Sequence, residues 1–171
     1  MAVPYFAYGT TQQGFTHHRR LGLGERVARC RTVEPHAVVV PHRAACSNPG
    51  CEYVHRMAAL VPGLDRHAEG DLFLIDDGAA AAIEALEIAP GGPYVRGEVE
   101  VVPVGGGAGV PARAYLAREP ARWRALVERG EADALASYPR ELAAAETRKE
   151  CCLRAPGHPP PHEVLSPFPG A

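Results

Sequence analysis

The chain has 171 residues, with 18 Lys or Arg against 20 Asp or Glu for a formal charge of -2. That length suits one domain and leaves no room for two sizeable cores, and 46% hydrophobic with 22% charged residues is an ordinary soluble composition. Arginines that alternate with acidic residues argue against a nucleic-acid binder, which needs a net basic face, and apolar stretches such as Ala79 to Ile83 are far short of the roughly 18 to 20 residues that span a bilayer.

Val3 to Tyr8 has the aromatic and apolar pattern of a strand, and it stops at Gly9-Thr10-Thr11, where small side chains permit a tight loop. Gln12 to Leu21 is polar and can start a helix. Val27 to Val33 and His36 to Val40 read as strands separated by Glu34-Pro35. His42 to His55 shows no periodicity and contains Asn48-Pro49-Gly50, which predicts an excursion loop before a strand at Met57 to Val61. Gly70 to Ile75 is the next strand, and Asp76-Asp77 can cap an Ala-rich helix over Gly78 to Leu86. Tyr94 to Val104 and Ala112 to Ala117 alternate with strand period around a glycine-rich hairpin loop. Pro120 and Pro139 stand at first helical turns, predicting helices over Ala121 to Arg129 and Arg140 to Glu150.

Six or seven strands with so few helices predict an α+β fold, a small closed or nearly closed, mainly antiparallel β-barrel with a short inserted helix and C-terminal helices. The domain is expected to cover residues 1–154, and the Pro-rich stretch 155–171 to form an extended tail. The first residues lack the pattern of a secretory signal and the five cysteines are odd in number, so reduced thiols and a cytoplasmic location are expected.

Two places can carry chemistry. At Tyr8-Gly9-Thr10-Thr11 a strand end opens into successive backbone N–H groups that can converge on a carboxylate or phosphate; an ordinary tight turn is the alternative. Glu87 stands at the end of the inserted helix, beside the inward-facing Leu86 and a Pro/Gly turn, where it can project into a barrel mouth. A solvated carboxylate is the alternative there.

In order and spacing these features resemble the gamma-glutamylcyclotransferase family, with its AIG2-like and BtrG-like members. The resemblance rests on Tyr8-Gly9-Thr10 after the first strand, Gly70-Asp71-Leu72-Phe73, Ile83-Glu84-Ala85-Leu86-Glu87-Ile88, Tyr94-Val95-Arg96 and Ala112-Arg113-Ala114-Tyr115. Thr11 stands where Leu or Asn is usual, Glu84 where Asp is usual and Ile88 where Gly is usual. The resemblance implies an enzyme that cleaves a gamma-glutamyl amide by attack of its own alpha-amine, releasing 5-oxoproline and a free amine. It places substrate binding on Tyr8, Gly9, Thr10 and Thr11, with Tyr94 beside them, and proton transfer on Glu87. Tyr115 can line the pocket and donate a hydrogen bond, or simply pack in the barrel wall.

Such an enzyme needs no cofactor, since the nucleophile belongs to the substrate and proton transfer can be done by one carboxylate. The expected partner is a small gamma-glutamyl amide or amine, gamma-glutamyl-protected intermediates of biosynthesis included, with neither nucleic acid nor membrane; no motif encodes the amine half or the oligomeric state. The alternative is a non-catalytic small-ligand or zinc-binding module on the same barrel. His42, Cys46, Cys51 and His55 form a set that a loop can wrap around tetrahedral zinc, although the spacing is not that of a standard finger. Cys151-Cys152 carries no assigned role, and His17-His18 reads as a solvated pair.

Overall fold

The computed structural model describes residues 2–42, 58–88 and 92–142. In chain order the elements are β1 (Val3–Ala7), α1 (Thr16–Leu21), β2 (Ala28–Thr32), β3 (His36–Pro41), β4 (Ala59–Pro62), β5 (Glu69–Ile75), α2 (Asp77–Glu87), β6 (Tyr94–Pro103), β7 (Val110–Ala117), α3 (Pro120–Glu128) and β8 (Ala132–Leu135). The sheet runs β1-β5-β2-β6-β7, and β7 pairs back onto β1 at Tyr5 and Arg113, so five strands close into a barrel. All of its pairs are antiparallel except that closing one. From β7 the sheet continues outward through β4, β3 and β8.

Closure works because side chains alternate across each strand, so one strand serves two cores. Phe6, Cys30, Leu72, Val99, Val101, Ala112 and Ala114, drawn from all five barrel strands, fill the interior. The opposite faces of β1, β5 and β7 present Tyr5, Ala7, Phe73, Ile75, Tyr115 and Ala117 to a second core shared with Ala80 and Ile83 of α2 and Trp123 of α3. At Gly70 a Cβ would run into the Ala7 carbonyl and the Phe6 ring. That position must be glycine for β5 to lie against β1.

The expected barrel, inserted helix and first closing helix are present, with boundaries shifted by a few residues. Helix α1 starts at Thr16, later than anticipated, because Gly9 to Phe15 is used in turns: the Gln12 N–H bonds the Gly9 carbonyl and the Phe15 N–H the Gln12 carbonyl. Strand β8 was not foreseen. Its sequence Ala-Asp-Ala-Leu has poor strand propensity, and pairing along β3 from Val38–Leu135 to Pro41–Ala132 overrides it. Of the second expected closing helix, residues 143–150 lie outside the described residues, as do Cys46, Cys51 and His55, Cys151-Cys152 and the Pro-rich tail. Among the described residues no helix is long and apolar enough to cross a membrane.

Candidate functional site

One edge of β7 changes partners along its length. Arg113 pairs with Tyr5 of β1, and Leu116, three residues on, pairs with Leu60 of β4. At this seam β1 has ended and its chain continues into the loop Gly9–Gln13. The Tyr8 hydroxyl spans the gap, donating to the Tyr115 carbonyl at 2.6 Å, and it meets the backbone of Leu60 as well.

The loop is held by its side chains. Thr11, 3% exposed, shares a 2.9 Å hydrogen bond with the Tyr5 hydroxyl. Gln12 donates from Nε2 to the Tyr8 carbonyl at 2.9 Å, and Thr10 Oγ1 lies 2.7 Å from His17 Nδ1. His17 is therefore half-buried and bonded to the loop, not a solvated residue; its neighbour His18 packs its ring at 5.4 Å from that of Phe73. The backbone N–H groups of Gly9, Thr10 and Thr11 have no hydrogen-bond partner among the described residues. Gly9 has negative φ, and a Cβ there would meet nothing within 4 Å. Among the described residues, neither backbone strain nor packing demands glycine at that point.

Helix α2 starts where Asp76 accepts the Ala79 N–H at 2.8 Å. Its buried residues are Ala80 and Ile83, and Glu87 follows them at seven and four positions, on the same face. Glu87 is accordingly half-buried. Leu86 is 38% exposed, which corrects the expectation that it faces inward. The shelter of Glu87 also differs from the expected barrel mouth: α2 packs on the outer faces of β1, β5 and β7.

Three buried tyrosines register that carboxylate. Burial, followed by the charge of Glu87, raises the Tyr5 and Tyr8 hydroxyls well above the ordinary tyrosine range. Tyr115 is pushed up to about 12 by burial first, then by Glu84, with Glu87 contributing further. All three hydroxyls stay protonated at neutral pH, with that of Tyr5 bonded to Thr11 and that of Tyr8 donating to the Tyr115 carbonyl. The Tyr115 hydroxyl is buried without a hydrogen-bond partner among the described residues. An orphaned buried hydroxyl is costly, about 1–3 kcal/mol.

The remaining expected residues have structural bonds as well. Tyr94, 6% exposed, donates its hydroxyl proton to the Ala58 carbonyl at 2.7 Å. Arg96 of the Tyr-x-Arg motif forms an ion pair with Glu84 at 3.0 Å on the exposed side of α2. His42 of the candidate zinc set lies 2.9 Å from Asp133. Among the described residues no three His, Cys, Asp or Glu side chains converge as metal ligands do.

Tyr5 and Asp71 escaped the sequence reading. Tyr5 is read from alternation as a core residue, and its hydroxyl contact with Thr11 depends on how the loop folds back. Asp71 carried a signal in hindsight: it is a lone carboxylate inside the apolar strand Gly70-Asp71-Leu72-Phe73, and it is 2% exposed.

The family model described as gamma-glutamyl cyclotransferase, AIG2-like, matches residues 5–134. Among solved structures the fold is similar to an AIG2-like protein from Mus musculus, at 19% identity and a TM-score of 0.59 over 81% of this chain and 88% of that one. It is similar also to a protein described as a gamma-glutamyl cyclotransferase, at 13% identity and a TM-score of 0.51 over 100% of this chain and 93% of that one. The chain spans 36% of the length of YkqA from Bacillus subtilis, at 16% identity and a TM-score of 0.48 over 69% of this chain. No curated protein matches it. A family match across most of the chain, on a five-stranded barrel with an inserted helix, establishes that the chain belongs to the AIG2-like gamma-glutamyl cyclotransferase family.

Proposed function

We propose that the protein cleaves a gamma-glutamyl amide by cyclisation. The substrate's alpha-amine attacks its own gamma-carbonyl, the new C–N bond closes a five-membered ring, the old C–N bond breaks, and 5-oxoproline leaves with a free amine. Because nucleophile and electrophile share one molecule, the protein has only to hold the reactive conformer and move protons. Glu87 takes a proton from the attacking ammonium and delivers it to the departing nitrogen, and the second proton that the ring nitrogen sheds leaves with the amine, which departs as an ammonium. The N–H groups of Gly9, Thr10 and Thr11 bind the alpha-carboxylate or the developing oxyanion, and the Tyr115 hydroxyl donates to the same ligand. Tyr8 closes the wall behind the loop, and the Tyr94 ring lines the site.

The observation that carries this reading is the half-buried Glu87, whose charge reaches the Tyr5 and Tyr8 hydroxyls beside a loop in which the Gly9, Thr10 and Thr11 N–H groups have no partner among the described residues. A gamma-glutamyl-protected intermediate of a biosynthetic route is one substrate of the right chemistry; gamma-glutamyl peptides and simple gamma-glutamyl amines are others. Incubation with a panel of gamma-glutamyl amines, followed by mass detection of 5-oxoproline, tests the proposal. N-acetylation of the alpha-amine removes the nucleophile and should abolish release. Absence of 5-oxoproline across the panel, with ligand binding retained, would leave a binding module on the same barrel.

A further inference from the structure

We infer that Asp71 is a positioning residue for ligand binding, locking both ends of the Gly9–Gln13 loop so that its N–H groups face the ligand. What the loop binds is taken from the cyclotransferase reading; the lock itself stands on the contacts of Asp71.

Asp71 sits on β5 opposite Ala7, the last residue of β1. Its side chain is 3% exposed, and a carboxylate so buried is unfavourable unless charge and hydrogen bonds replace water. Every replacement leads toward the loop. Oδ2 accepts the Gln13 N–H at 2.8 Å, at the loop's exit. Oδ1 faces two guanidinium groups, Arg26 at 3.2 Å and Arg29 at 3.5 Å. The same Arg29 nitrogen donates to Gln12 Oε1 at 2.6 Å, and Gln12 Nε2 donates to the Tyr8 carbonyl at the loop's entry. One carboxylate thus reaches Gln13 directly and Tyr8 through Arg29 and Gln12. Between those ends the Gln12 N–H closes a turn on the Gly9 carbonyl at 3.2 Å. With Thr10 bonded to His17 and Thr11 to Tyr5, the loop's hydroxyls are engaged within the protein. The N–H groups of residues 9 to 11 have no partner among the described residues and are the donors left for a ligand.

A preorganised loop improves binding by removing the entropy cost of ordering it. Loss of the lock therefore falls on affinity, whereas loss of Glu87 falls on the chemical step. The test compares Asp71→Asn with Glu69→Gln, which removes the other, more exposed carboxylate near Arg29. Four quantities are measured: KM and kcat for a gamma-glutamyl amine, Kd for 5-oxoproline, and hydrogen exchange of the Gln12 backbone amide, which bonds Gly9 and not Asp71. Asp71→Asn should raise KM and Kd at least tenfold with kcat held within about threefold, and should speed Gln12 exchange at least tenfold. Glu69→Gln should change none of these by more than about twofold. If Asp71→Asn does not fold, Arg29→Gln breaks the link to Gln12 and should give the same pattern. A folded Asp71→Asn or Arg29→Gln with unchanged Gln12 exchange and unchanged Kd would overturn the inference. Absence of turnover in the parent protein would count against cyclotransfer alone, since Gln12 exchange is read without substrate.

Discussion

Glu87 lies one helical turn beyond Ile83, and the two share the face of α2 that packs on the barrel's outer wall. Ile83 is fully buried and anchors the helix. Glu87, at the last helical position, is carried by that anchor into the neighbourhood of Tyr5, Tyr8 and Tyr115, whose hydroxyls all feel its charge. Ile83→Ala should therefore cost about 2–5 kcal/mol of stability and lower activity in the fraction that remains folded. Chemical denaturation followed by fluorescence of Trp123, the single tryptophan and fully buried, checks the first part.

The Tyr115 hydroxyl provides a cleaner probe of ligand contact. Because it has no partner among the described residues, Tyr115→Phe removes no hydrogen bond seen in the fold, and the melting temperature should stay the same or rise. If the hydroxyl donates to the ligand, Kd for 5-oxoproline should weaken by roughly two- to twelvefold, the equivalent of about 0.5–1.5 kcal/mol for one hydrogen bond. Calorimetric titration of both proteins provides the comparison.

Gly9 separates ligand approach from folding in the same way. Among the described residues a Cβ there meets nothing within 4 Å and φ is not positive, so Gly9→Ala should leave thermal stability within about 1 kcal/mol of the parent. A ligand that comes close to the backbone would collide with the added methyl. Binding of 5-oxoproline should weaken at least tenfold, measured by the same titration.

Much of the fold was legible because strand alternation and punctuating Gly and Pro residues survive in one sequence: β1, β5, β6 and β7 sit close to where periodicity placed them. The family resemblance brought the loop and Glu87 forward. Helical spacing gave a better argument for Glu87 than its neighbour did, since positions 80, 83 and 87 share a face and Leu86 lies off it. What sequence could not show was long-range. The seam depends on β7 meeting Tyr5 and then Leu60, and the loop's lock joins Gln12, Arg29 and Asp71. Neither pattern has a local period. Strand β8 was missed for a related reason, since tertiary pairing with β3 decides it against propensity.

Alkaline pH should expose the buried tyrosines. Folded-state values raised above the ordinary tyrosine value of 10 mean that the folded protein holds protons the unfolded chain has released. Their stabilising contribution is complete below pH 10, and for Tyr115 it is lost as pH rises from 10 to about 12. Stability should fall above pH 10, and Tyr115→Phe should reduce the slope. Denaturant midpoints at a series of pH values, read from Trp123, decide the sign.

The most direct test of the account is the turnover of Glu87→Gln, measured as 5-oxoproline released from a gamma-glutamyl amine that the parent protein cleaves. Glutamine keeps the size of the side chain and cannot accept the ammonium proton. The account predicts that kcat falls by roughly 10² to 10⁴, with Kd for 5-oxoproline within a few fold and an unchanged melting temperature. A Glu87→Gln protein that releases 5-oxoproline at the parent rate would contradict it.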